Sequence, residues 1–131
     1  MENQIELIKR LNKEIIEEVL GFWHYLHENP ELSFNERHTA EFIAKTLKSN
    51  NIKVFQEVNG YGLIGIIESD KPGNTIGIRA ELDALPINEQ TSLDFKSKNE
   101  GTMHACGHDI HMASLLGTAI ILNKLKGSLK G

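Results

Sequence analysis

Nine consecutive residues, Met103-His104-Ala105-Cys106-Gly107-His108-Asp109-Ile110-His111, hold three His, one Asp and the only Cys of the chain. No other segment is as dense in groups that bind metals or move protons. A second cluster, Arg79-Ala80-Glu81-Leu82-Asp83-Ala84-Leu85-Pro86, lies one loop upstream. Thiolate sulfur and imidazole nitrogen suit zinc and are acceptable to other divalent transition metals. Gly107, between Cys106 and His108, lets the backbone bend so that both side chains can reach one ion. Two ligands make half a site, because a catalytic metal needs further ligands and an open position.

Asp109 stands where the cap of an apolar helix is expected. Cys106 and His108 then face the positive end of that helix, where a thiolate is favoured. Three readings compete: a buried Cys among incidental His residues, a Cys106 nucleophile with His104 or His108 as its base, and metal ligation. A nucleophile needs a base placed by the fold, not by sequence adjacency, and metal ligation is the preferred reading. Glu81 and Asp83 leave a strand end, where α/β sheets place their sites. Alternation along an extended chain points both to one face, opposite Leu82. A carboxylate there can orient a ligating His, fixing its tautomer and raising its basicity. The plainer alternative is an ion pair with Arg79; both readings stay open for Glu81, whereas Asp83 is read as functional.

The elements that must position these groups follow from periodicity. Residues 4–28 carry Ile5, Ile8, Leu11, Ile15, Val19, Phe22 and Leu26 at helical spacing. Pro30 stops this helix by pushing Asn29 out of helical geometry. Trp23, His24 and His27 lie near its end, and a His there is more often a packing residue than a ligand. Ser33-Phe34-Asn35-Glu36 has the form of a capping box, with Ser33 capping the next helix and Glu36 reaching back. That helix buries Ala40, Ile43, Ala44 and Leu47 and ends at Asn50-Asn51. Residues 52–58 alternate as a strand, and 63–67 are apolar on both faces, as in a covered sheet. The turn at 70–74 predicts that Thr75 to Ala80 returns as a strand beside the previous one. Residues 84–103 lack periodicity, and so long a connection is usually functional or mobile. The last helix runs from about Asp109 to Leu125, with Met112, Leu115, Leu116, Ala119, Leu122 and Leu125 as its stripe. The turn-like tail 126–131 points toward a further strand. This order predicts an α/β fold, a mixed sheet covered by helices.

At 131 residues the chain has room for one core and not for two ordinary domains. A net charge of −4 and scattered Lys residues argue against a nucleic-acid partner. No apolar run reaches membrane-spanning length, no signal peptide is visible and one Cys makes no internal disulfide, so the expected setting is cytoplasmic. No internal repeat or low-complexity segment is present.

The two clusters together, Arg79-Ala80-Glu81-Leu82-Asp83-Ala84-Leu85-Pro86-Ile87 and Met103-His104-Ala105-Cys106-Gly107-His108-Asp109-x-His111, resemble the amidohydrolase branch of the aminoacylase and carboxypeptidase-type dinuclear metallopeptidases. Hippurate hydrolases, indole-acetyl-amino-acid hydrolases and N-acetyl-diaminopimelate deacetylases belong to that branch. His27-x-x-Pro30-Glu31-Leu32-Ser33 with Glu36 resembles its N-terminal signature. The likeness runs from about residue 20 to 125. It implies the N-terminal portion of a zinc-peptidase-like catalytic domain over 1–131, with the rest of that domain and the lid or dimerisation domain absent.

By this resemblance Cys106 and His108 match two metal ligands, and Asp83 matches the catalytic-site aspartate that supports the metals. Glu81 occupies a position that is acidic in this branch and a metal-binding His in related ones. His104, Asp109 and His111 belong to the motif in supporting or substrate-side roles. The implied cofactor is a divalent metal, two ions in the complete enzyme, such as zinc or manganese. The implied reaction is hydrolysis of N-acyl amino acids or small peptides by metal-activated water. The implied partners are that small substrate and neither nucleic acid nor membrane, with homodimerisation an open option for the parent enzyme. The family's Glu-Glu general-base pair and its remaining His ligands fall beyond the last helix and are not in these residues. The chain alone is therefore expected to be inactive: a truncated, proteolytic or interrupted-gene piece with an exposed sheet edge and apolar helix faces. The alternative is a non-catalytic binding or assembly module, or a half-site completed by another chain.

Overall fold

A computed structural model describes residues 3–131. Helix α1 spans Gln4–Glu28, its start fixed by Asn3, whose side chain accepts from the Glu6 amide at 2.9 Å. It ends where expected, at Asn29 before Pro30. Helix α2 spans Arg37–Ser49, strand β1 Lys53–Val58, strand β2 Gly62–Ile66 and helix α3 His108–Leu125. Asn51 adopts a left-handed φ of 58°, the turn that the Asn pair predicts after α2.

The capping box at 33–36 does not form. Glu36 is the cap residue of α2 and makes no side-chain cap bond. Glu31 serves the helix start instead: its carboxylate accepts from the His38 amide at 3.2 Å and from the Thr39 amide and hydroxyl at 2.8 Å each. The longer, charged side chain from outside the helix outcompetes the local pattern, because a carboxylate is a stronger acceptor near the positive helix end.

β1 and β2 pair antiparallel with Phe55 opposite Ile64, and a bulge separates that pair from Val58 opposite Gly62. One face of the pair is open, contrary to the covered sheet expected: Phe55 and Ile64 are about half exposed. Thr75 to Ala80 does not form the expected strand. Its composition suits one, but a ladder needs a partner backbone, and none of the described residues supplies it. Ile76 and Ile78 stand exposed on this segment. The tail makes a 3₁₀ turn at Lys126–Ser128, after which Gly131 pairs with the backbone of Ser69 and Lys71 at 2.9 and 2.8 Å. The α/β class holds, with the described strands forming one antiparallel pair.

The core gathers Leu26, Ile43, Leu47, Ile52, Met112 and Leu116 from all three helices and the start of β1. α1 and α3 pack directly on one another. A β-carbon at Gly117 would lie 2.8 Å from Val19 Cγ2, so glycine allows the close approach. The α1 stripe is buried only from Leu11 onward, and Ile5 and Ile8 remain exposed. In α3 the buried positions are Asp109, Met112, Ala113, Leu116, Gly117 and Ile120, a stripe rotated from the expected one. That rotation turns Asp109 inward.

The 84–103 connection is tied down along its length. Leu85 and Met103 exchange backbone hydrogen bonds, Ala84 donates to Glu31, and Lys98 donates to Glu28. Phe95 stacks on His24 at 4.0 Å and meets Trp23 edge-on at 5.0 Å.

Candidate metal centre

Gly107, with a φ of 83°, is the residue before α3, and its carbonyl accepts the first helical bond from His111 at 3.1 Å. Only glycine adopts this left-handed geometry freely, so the bend between Cys106 and His108 is set by the backbone. Asp109 is therefore not the helix cap that the sequence suggests. It lies inside the first turn, 1% exposed, and faces α1. Its Oδ2 accepts from Trp23 Nε1 at 2.8 Å and lies 2.7 Å from His27 Nδ1. The other ring nitrogen of His27 is 3.1 Å from Glu89 Oε1. Glu89 in turn accepts from the Ser97 amide at 2.6 Å and from the Thr91 hydroxyl.

The contacts along this buried line act on the ionisation of His27 and Glu89. Burial opposes a charge on His27, yet hydrogen bonds and attraction from Glu89 and Asp109 outweigh it and raise its pKa. Burial likewise opposes the charge on Glu89, but Thr91, the Ser97 amide and His27 hold its carboxyl below the usual range. A ring flanked by two carboxylates donates from both nitrogens, so the geometry describes an imidazolium. Sequence reasoning treated His27 as a packing residue and passed over Trp23 and Glu89 as parts of the site. Two signals point to His27: the signature that begins at it, and the spacing of Trp23 and His27, four residues apart on the same helix face.

The opposite side of the loop is open. His108 Nδ1 lies 2.9 Å from the Asp83 carbonyl and 3.1 Å from Asp83 Oδ1. Both are acceptors, so Nδ1 carries the proton and the Nε2 lone pair is left available. The Ser33 hydroxyl donates to Asp83 Oδ2 at 2.5 Å. Ser33, then His108 against the effect of partial burial, keeps the Asp83 carboxyl below the usual carboxylate range. Cys106 is exposed. Glu81 lies 3.4 Å from Arg79 and 3.9 Å from His111 Nδ1, so the plain ion pair is present alongside a contact to the motif. Leu82 packs against the core between the two carboxylates, as alternation predicts. The rings of His108 and His111 are 5.9 Å apart.

His104 takes neither side. It is buried with no hydrogen bond to either ring nitrogen, and burial lowers its pKa. Asp109 Oδ1 is also buried without a partner. Neither His104 nor His108 is hydrogen-bonded to Cys106 among the described residues, which removes the base that a nucleophile reading needs.

The donor set fits a divalent transition metal in part. An exposed thiol and an imidazole with a free Nε2, its other nitrogen held by a carboxylate and a carbonyl, is the arrangement that ligating His residues adopt. No group of three or more His, Cys, Asp or Glu able to hold an ion occurs among the described residues. Cys106 and His108 flank Gly107 at the mouth of α3, with Cys106 exposed and His108 held by Asp83. No helix of the described residues is long and apolar enough to cross a membrane.

A model of peptidase family M20/M25/M40 matches residues 77–131. The chain is 43% identical over 128 residues to thermostable carboxypeptidase 2 of Saccharolobus solfataricus, covering 97% of this chain and 33% of that protein. It is 43% identical over 126 residues to the N-acyl-L-amino acid amidohydrolase of Geobacillus stearothermophilus, covering 96% of this chain and 34% of that protein. The crystal structure of Bacillus subtilis YXEP, a dinuclear metal-binding peptidase, superposes with a TM-score of 0.87 at 45% identity, covering 91% of this chain and 34% of that one. The chain thus spans about a third of the length of the curated relatives it matches. The loop that carries Cys106 and His108 lies inside the matched residues and the fold is shared with the dinuclear metal-binding peptidase, so this stretch of the chain is similar to peptidase family M20/M25/M40.

Proposed function

We propose that this chain supplies part of the catalytic domain of a metal-dependent amidohydrolase that cleaves N-acyl amino acids or small peptides. The observation that carries the reading is the state of His108. Its Nδ1 is committed to Asp83 at 2.9 and 3.1 Å, which leaves Nε2 without a protein partner among the described residues, two positions after the exposed Cys106. Cys106 and His108 would hold the ion, and Asp83 would orient His108. When bound, a divalent cation supplies charge that polarises an amide carbonyl. Glu81 reaches the motif through His111 Nδ1 at 3.9 Å, while Asp109 holds the loop from the α1 side. The similarity to an N-acyl-L-amino acid amidohydrolase and a thermostable carboxypeptidase supports amide hydrolysis as the reaction class.

No Glu-Glu pair follows α3 in these 131 residues, and Glu17-Glu18 lies on the exposed side of α1. The resemblance assigns the general base to such a pair, so on this reading the 131 residues alone should bind metal weakly and turn over no substrate. Equilibrium dialysis against zinc or manganese tests the centre. The chain should take up metal, and the Cys106→Ala, His108→Ala double variant should not. Equal uptake by both would remove the assignment. N-acyl amino acid hydrolysis by the chain alone, lost in the double variant, would overturn the inactivity.

A further inference from the structure

We propose that Ser33 is a positioning residue for the candidate ligand His108, acting through Asp83. The inference rests on the reading of Cys106 and His108 as ligands, and Ser33 lies outside the residues 77–131 that match the family model.

The geometry begins with a hydroxyl released from its expected task. Ser33 has the sequence context of a helix cap, but Glu31 serves the α2 amides and Ser33 does not. Backbone pairing then brings the Ser33 turn to the site. The Ala84 amide donates to the Glu31 carbonyl at 2.8 Å, and Leu32 bridges Ala84 in parallel. Ser33 is thereby set beside Asp83, and its hydroxyl donates to Oδ2 at 2.5 Å. The other oxygen, Oδ1, lies 3.1 Å from His108 Nδ1.

A half-buried carboxylate with one bonded oxygen can rotate about its terminal torsion, because that torsion is broad. Occupying Oδ2 with a hydroxyl donor leaves one rotamer in which Oδ1 faces the imidazole. Together with the Asp83 carbonyl, 2.9 Å from Nδ1, that oxygen keeps the ring proton on Nδ1 and the lone pair on Nε2. Without the hydroxyl, Asp83 samples other rotamers, and His108 loses part of the bias that selects its tautomer. Ser33 touches neither substrate nor ion in this account; it sets the atom that would.

The test uses the 131-residue chain and two readouts that do not depend on turnover. Cobalt(II) titration, followed by thiolate-to-cobalt absorption, reads affinity at Cys106 and His108. Nitrogen-15 NMR of the metal-free chain reads the His108 tautomer. Ser33→Ala should weaken cobalt binding about 10-fold, the lower end of what loss of a ligand's supporting partner costs. It should also raise the share of His108 protonated on Nε2. Ser33→Thr, which keeps the hydroxyl at an exposed position, should restore both. Wild-type affinity and tautomer in Ser33→Ala would overturn the proposal. So would a Thr variant no better than the Ala one, or weakened binding with the tautomer unchanged. If the unmodified chain shows no thiolate-to-cobalt band, the ligand assignment fails. The tautomer comparison then still decides whether Ser33 acts on His108.

Discussion

Asp83 and Asp109 reach the same loop from opposite sides and live in different surroundings. Asp83 is half-exposed, held by a serine hydroxyl and the His108 ring, with solvent on its open side. Asp109 is sealed against α1, held by an indole and an imidazolium that is itself clamped by Glu89. Both are motif carboxylates, and both contact a histidine. The difference lies in what each contact leaves free. On the Asp83 side a ring nitrogen and a thiol remain available to a ligand. On the Asp109 side both His27 nitrogens and one carboxylate oxygen are spent inside the protein. The loop is thus anchored from its dry face and open on its wet one. Substitutions on the two faces should separate stability from metal binding.

The largest effect is expected from Asp109→Ala. It removes the acceptor of Trp23 and one of the two partners of a buried imidazolium. Breaking a buried pair by deleting one member costs about 3–5 kcal/mol, because the survivor stays desolvated. Urea denaturation should show a midpoint lowered to match. A loss below about 1 kcal/mol would mean that the dry face is not the anchor.

A pH series sharpens the same point with a smaller effect. The pKa of His27 is raised in the fold, so its stabilising contribution is complete below its ordinary value of 6.5 and fades as pH climbs through the raised one. Glu89 is depressed, so its share is complete above the ordinary carboxylate value of 4.5 and fades as pH falls through the lowered one. The stability gap between the unmodified chain and His27→Gln should therefore be widest in weakly acidic solution and narrow toward alkaline pH. A gap that stays constant from neutral to alkaline pH would assign His27 a neutral packing role.

The helices were legible because their periodic stripes are local: α1 and α3 lie within a residue of the expected limits, while α2 starts three residues later than a Ser33 cap implies. The Cys106-Gly107-His108 motif stands out for the same reason, since its residues are adjacent in the chain. What escaped is non-local. The His27–Asp109 contact joins residues 82 apart in sequence, and no pattern along the chain announces it. Asp109 fits a cap position, but the rotation of α3 against α1 turns it inward. Ser33 fits a capping box as well, and only the folded position of Glu31 shows the hydroxyl to be free for Asp83. The strand expected at Thr75 to Ala80 failed for a related reason. Composition can favour an extended chain, whereas a ladder needs a neighbour.

The smallest effect belongs to the wet face, and it is the most discriminating. Cys106 is exposed and precedes a turn whose bend is supplied by Gly107, not by the thiol. Cys106→Ala removes one sulfur atom from solvent contact and leaves both the Leu85–Met103 pairing and the Asp109 anchor in place. Surface substitutions of this kind stay within about 0.5 kcal/mol. The urea midpoint should barely move, while metal uptake falls. If Cys106→Ala instead destabilised the chain as much as Asp109→Ala, the thiol would be part of the packing. The open face could then no longer be told from the sealed one, and the exposed thiol would lose its standing as a ligand held ready for an ion.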